Sequence, residues 1–221
     1  MRSTKFHIAA VLCAGLLATG CASKPPKDYA EFQRADPRSI LVLLPRNSSP
    51  DVLASYSVYS QVQAPIAESG YYVLPISLVD EHFKTNGLSV ADDIHQVDPA
   101  KLREVFGADA ALYIDIKDYG ARYYVLGSAS IVTAEGRLVD LRSGKELWTG
   151  KASASSEEQR QNNNMGLAGL LVSALVKQVM ASALDESYSI AAITNSRLLY
   201  AKNPGALPYG PRHQEYRKTG P

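Results

Sequence analysis

Hydrophobic positions divide the 221-residue chain into stretches of different texture. Ile8 to Leu17 is an unbroken apolar run of ten behind Arg2 and Lys5. A bilayer-spanning helix needs about 20 such residues, whereas a run of about ten has the length of the apolar region of a signal peptide, here residues 1–20. Residues 21–38 are polar, interrupted by Pro25, Pro26 and Pro37, and carry no sustained period, so they read as a flexible tether. Regular periods occupy 39–202, which marks one folded domain. Asn203 to Pro221 is rich in Pro and Gly and reads as a flexible tail, mobile or laid over the domain surface.

Inside the domain, Ile40 to Leu44 is apolar at every position and ends at Pro45, as a strand buried on both faces does. Val52, Tyr56, Tyr59 and Val62 follow at spacings of three and four, predicting a helix over Val52–Glu68 with Ser49 as its cap and Pro50 at its first position. Tyr71 to Pro75 reads as a second buried strand, and the three pieces form a βαβ unit. Helices are expected over Leu78–Thr85 and over Pro99–Phe106, the latter capped by Asp98 and closed by Gly107. From Ala110, alternating residues predict a strand with one buried face, and Arg122–Ala134 and Arg137–Leu141 continue as strand. Gly144 in Arg142-Ser143-Gly144-Lys145 supplies the turn of an antiparallel hairpin into Glu146–Lys151.

Ser153–Asn164 is polar and reads as a loop; Gly166–Leu184 and Glu186–Leu199 read as helices. The first of these is apolar almost all round, and Lys177 and Gln178 in its second half speak against a membrane span. It is expected in the core or at a subunit interface, where Leu170, Leu171 and Ala174 are the candidate self-association residues. The expected fold is thus α/β (α+β): a single domain with a mixed sheet, a βαβ start, a C-terminal antiparallel hairpin, helices packed on the sheet and one long apolar helix.

Composition removes several classes. Lys and Arg number 23 against 22 Asp and Glu, with no block of like charge, so the chain lacks the attraction a nucleic-acid coat requires. Gly, Pro and Cys, at 15, 12 and 2, exclude a collagen, a disordered chain and a disulfide scaffold. Cys13 lies in the apolar leader, so Cys21 is the one cysteine that would remain after its removal, and no disulfide is expected.

Leu17-Ala18-Thr19-Gly20-Cys21 resembles the lipobox of bacterial lipoproteins. The small Ala18, Thr19 and Gly20 let a peptidase approach the scissile bond, and the Cys21 thiol is the nucleophile that can carry diacylglycerol; palmitate is the expected label. The family more often has Leu where Ala18 stands. Ala22 after the cysteine implies, by the same resemblance, sorting to the outer membrane, with the domain facing the periplasm.

The buried opening strand, Phe106-Gly107-Ala108-Asp109-Ala110-Ala111-Leu112, and the hairpin Leu138-Val139-Asp140-Leu141-Arg142-Ser143-Gly144-Lys145-Glu146-Leu147-Trp148 resemble two kinds of periplasmic domain. These are the curli-secretion-channel-like lipoproteins and the N-terminal domain of the Tol translocation protein B. Over the whole mature chain the resemblance is closer to a family of bacterial lipoproteins of unknown function similar to a meningococcal surface lipoprotein. It implies a part in envelope transport or assembly beside a channel-like lipoprotein, which becomes the candidate partner. The long amphipathic strands of the curli channel have no counterpart, so pore formation by this chain alone is not implied.

Candidate chemistry is sparse. His82 in Asp80-Glu81-His82 and His95 in Asp92-Asp93-Ile94-His95 stand beside carboxylates but not in a metal-ligand spacing, and neither metal nor other cofactor is expected. No Gly-x-Ser-x-Gly elbow and no phosphate-cradling glycine loop occurs. Thirteen tyrosines, several around the sheet, suit an interaction surface and core packing equally. The leading expectation is a non-enzymatic interaction or assembly lipoprotein, a homodimer or higher oligomer held by acyl chains on Cys21. The alternatives are a ligand-binding accessory lipoprotein of a transporter and an envelope hydrolase using His82 and His95.

Overall fold

The computed structural model describes residues 29–124, 127–158 and 186–217. The chain forms α1 (Ala30–Ala35), β1 (Ser39–Val42), β2 (Arg46–Asn47), α2 (Ala54–Tyr59), α3 (Gln63–Glu68), β3 (Tyr72–Val73) and α4 (Ile76–Thr85). It continues with α5 (Ala91–His95), α6 (Pro99–Phe106), β4 (Ala110–Tyr124), β5 (Gly127–Asp140), β6 (Glu146–Ser155) and α7 (Glu186–Leu199). The six strands make one mixed sheet in the order β3-β1-β4-β5-β6, with β2 also paired to β4.

β1 runs parallel to both β3 and β4, as a βαβ start requires, and β4, β5 and β6 form an antiparallel meander. Ile40 to Leu44 are buried, consistent with a strand covered on both faces. Gly107 closes α6 in the left-handed region at φ 66°, and the Asp98 carboxylate caps its start by accepting from Ala100 N. Gly144 takes φ 71° in the β5–β6 turn.

The expected loop over Ser153–Asn164 begins inside β6, which runs to Ser155, and two further expected elements differ. The helix over Val52–Glu68 is two helices, α2 and α3, because Pro65 has no N–H to give the carbonyl of Gln61 and its ring crowds that carbonyl. Its start moves from Pro50 to Ala54 because side chains hold the preceding residues in turns. Asn47 Oδ1 accepts from Ser49 N, and Asp51 Oδ1 accepts from Leu53 N. The stretch expected as strand over Arg122–Ala134 is instead split between β4 and β5, which pair from Ala110↔Asp140 to Tyr124↔Gly127. Strand-like residues on both sides hid the reversal.

The expected tether is folded over part of its length. Ala30–Ala35 is helical, and Phe32 is buried, so the domain begins well before Ser39. Residues 203–217 are laid over the domain. Among the described residues no helix is long and apolar enough to cross a membrane. The long apolar helix expected over Gly166–Leu184, with Leu170, Leu171 and Ala174, lies outside the described residues, as do the leader and Cys21.

Trp148 is buried in the core. Its indole lies across Gly150 of its own strand and Gly136 of the neighbouring β5, so close that a Cβ on Gly150 would sit 2.2 Å from the ring. Leu198 of α7 packs on the same spot. The indole N–H donates to Ala206 O at 3.0 Å, joining the core to the C-terminal segment.

The motif residues of the sequence meet at the start of β4. Asp109 accepts from Arg38 N (3.0 Å), Ser39 N (3.2 Å) and Ser39 Oγ (3.1 Å), and Arg142 lies 2.6 Å from its other oxygen. Burial alone would raise this carboxyl. The hydrogen bonds from Arg38 and Ser39 with the Arg142 charge outweigh it and hold the group below the usual carboxylate range. A depressed carboxyl contributes stability above its unfolded value near 3.9, and that contribution is lost as pH falls through the folded value. Asp109→Asn is therefore expected to cost about 1–3 kcal/mol at pH 7. Urea unfolding of the two proteins should differ at pH 7, and the difference should shrink as pH falls below about 4; a difference that stays constant as pH falls would refute the assignment.

Candidate functional site

The described chain begins at Tyr29, and that residue stands on the rim of a groove of about 450 Å³. One wall is α1 with its flanks, where Tyr29 meets Phe32 edge-to-face at 6.4 Å and Asp36 ends the helix in the left-handed region at φ 45°. The other wall is the segment 201–209 with residues 215–217. The lining is mainly apolar and aromatic, from Phe32, Leu207, Pro208, Tyr209 and Tyr216.

Backbone bonds fix the second wall. Asn203 Nδ2 donates to Ser196 O at 2.7 Å, the Trp148 indole holds residues 205 and 206, and Leu207 is fully buried. Tyr71 Oη donates to Pro208 O at 2.6 Å, and burial pushes its phenol pKa up, so it stays a donor. Gly210 N donates to Ser69 O at 2.8 Å and Arg212 N to Gly70 O at 3.1 Å. This approach needs two glycines. Gly70 takes φ 96°, and a Cβ on Gly210 would come within 2.7 Å of Gly70 O.

Charge gathers at the rim. Asp36 accepts from the Tyr216 hydroxyl and pairs with Arg217 at 3.5 Å and Arg38 at 3.9 Å. The Arg217 guanidinium lies 5.0 Å above the Tyr216 ring, and Arg212 lies 5.6 Å above Tyr72. Tyr209 stacks on His213 at 4.1 Å. Such an arrangement can hold amphipathic or extended apolar matter against a polar border; it aligns no nucleophile with a base.

A second, shallower surface of about 570 Å³ flanks the edge strand β3, lined by Tyr72, Leu78, His82 and Phe106 among others. Leu78 is 68% exposed there.

The histidine clusters do not come together. His82 is exposed on α4 and meets Phe106 edge-to-face at 5.1 Å, while Asp80 holds Lys84 at 2.6 Å. His95 Nε2 donates to Leu44 O at 2.9 Å, and its ring rests on Tyr113, which also lies under Arg137. Burial lowers its pKa, so the neutral imidazole pins α5 to the end of β1. Among the described residues no group of three or more His, Cys, Asp or Glu is placed to hold a metal ion.

Of the groove's lining side chains, sequence reasoning noted Arg217 alone, as one of the basic residues of the tail, without placing it in a groove. The available signal was aromatic: Tyr29, Phe32, Tyr209 and Tyr216 stand in segments otherwise polar and rich in Pro and Gly.

Comparison with known proteins gives a consistent result. The profile of the family described as "Putative lipoprotein GNA1162-like" matches residues 27–212. "Putative lipoprotein NMB1124/NMB1162" of Neisseria meningitidis serogroup B is 45% identical over 215 residues, covering 97% of this chain and 98% of that protein. The crystal structure of lipoprotein GNA1162 from Neisseria meningitidis aligns with a TM-score of 0.53 at 49% identity, over 66% of this chain and 100% of that one. A PelC dodecamer from Paraburkholderia phytofirmans aligns at 12% identity with a TM-score of 0.41, over 80% of this chain and 91% of that one.

Proposed function

Because the chain belongs to the GNA1162-like lipoprotein family, we propose that it is an outer-membrane lipoprotein, held by acyl chains on Cys21, that presents its domain to the periplasm as a non-enzymatic, self-associating component of envelope transport or assembly. The observation that carries this reading is Ala18-Thr19-Gly20-Cys21 behind an apolar run of ten, a few residues ahead of a folded domain. Ala22 after the cysteine supports the outer-membrane address.

Several features support interaction over catalysis. The relatives are named lipoproteins, and the best-placed catalytic candidates, His82 and His95, take part in packing contacts. Leu78, Tyr72 and Val105 leave apolar side chains in water around β3. Self-association rests on the apolar segment containing Leu170, Leu171 and Ala174. A channel-like lipoprotein is the proposed partner class.

Leu170→Asp and Leu171→Asp place a charge in that segment, and a desolvated unpaired charge costs several kcal/mol, enough to dissociate an oligomer at micromolar concentration. Sedimentation of the detergent-solubilised protein should show an oligomer for the parent chain and a folded monomer for either variant. A monomeric parent at tens of micromolar would refute self-association.

A further inference from the structure

We infer that the domain does not hang free on its anchor but docks, groove rim first, on the anionic surface of the bilayer that holds it, a step that rests on the acylated Cys21 proposed above. Three observations carry it.

The first is length. With α1 folded into the domain, the chain between Cys21 and the rim residue Tyr29 is eight residues long. That reaches at most about 28 Å when extended and about 15 Å as a flexible coil. The rim is thus held beside the headgroup layer.

The second is charge. Residues 21–38 and 201–221, the two segments whose described parts line the groove, carry eight Lys and Arg against four Asp and Glu. Residues 39–200 carry thirteen against eighteen. A nearly neutral molecule is polarised, with its positive part at the anchor, and basic side chains within a Debye length of an anionic membrane are attracted to it.

The third is residue type. Tyr29, Tyr209 and Tyr216 are half-buried at the rim, beside the exposed guanidinium groups of Arg38 and Arg217. Amphipathic rings bordered by cations suit the headgroup layer. Two acids line the groove, Asp36 and Glu215, and Asp36 is matched by Arg38, Arg217 and Tyr216.

The test uses the full acylated protein reconstituted into vesicles of phosphatidylcholine alone or with phosphatidylglycerol, read by flotation and by backbone hydrogen exchange. Both vesicles should float the protein. Those with phosphatidylglycerol should slow exchange over 29–38 and 201–217 by about tenfold, an effect lost near 0.5 M salt. Arg212→Glu with Arg217→Glu should abolish the slowing while flotation persists. Equal exchange in both vesicles overturns docking and leaves the anchor standing. Flotation with phosphatidylglycerol alone overturns the acyl anchor and leaves docking standing, and flotation with neither overturns both.

Discussion

Cys21→Ser removes the protein from the membrane. A serine hydroxyl is far less nucleophilic than a thiolate and forms no thioether, so the diacylglycerol has no attachment point. Each buried methylene contributes about 0.8 kcal/mol to membrane binding, and more than one chain makes the attachment stable. With all of it lost, docking by a few basic side chains leaves at most a weak, salt-sensitive association. Labelling with radioactive palmitate should give no signal for the variant, and fractionation should find it as precursor or as soluble material. Palmitate entering Cys21→Ser would overturn the lipobox assignment.

Trp148→Ala is expected to have the largest effect on the domain itself. The indole is 2% exposed and fills the space left by Gly136 and Gly150 beneath Leu198, so its removal opens a cavity between sheet and α7 that no neighbour can fill. Truncation of a large buried aromatic costs about 3–5 kcal/mol, a large share of the stability of a domain this size. It also leaves the carbonyls of Gly205 and Ala206 without their indole donor, which frees the groove wall from the core. Urea denaturation should show the loss in the transition midpoint, with faster hydrogen exchange over 201–210. A midpoint within error of the parent chain would contradict the placement of Trp148.

Where one residue type dictates one local geometry, the sequence was readable. Asp98 and Gly107 bounded α6, Gly144 made its turn, and Glu186–Leu199 is the helix its pattern predicts. Unbroken apolar runs likewise marked β1 and its βαβ partner. What escaped depended on contacts distant in sequence or on competing local signals. Pro65 interrupts a helix whose apolar spacing continues across the break, and the β4–β5 reversal is masked by strand formers on both sides.

The groove was invisible for a different reason. Its walls come from the two ends of the chain, each polar and Pro-rich, and each is ordered by a few anchors. Phe32 enters the core; Leu207 does the same from the other end, with Tyr71 and Trp148 tying down the neighbouring carbonyls. Such partners become apparent once the core between them is assembled. Cys21 is the opposite case: its reading rests on the order of short local signals and needs no fold at all.

Native mass spectrometry of the protein extracted from its membrane tests the central claim most directly, because one spectrum reads both the modification and the assembly. The account predicts an oligomer whose subunit mass is that of residues 21–221 plus the acyl chains on Cys21. A monomer whose mass shows an unmodified Cys21 would contradict it.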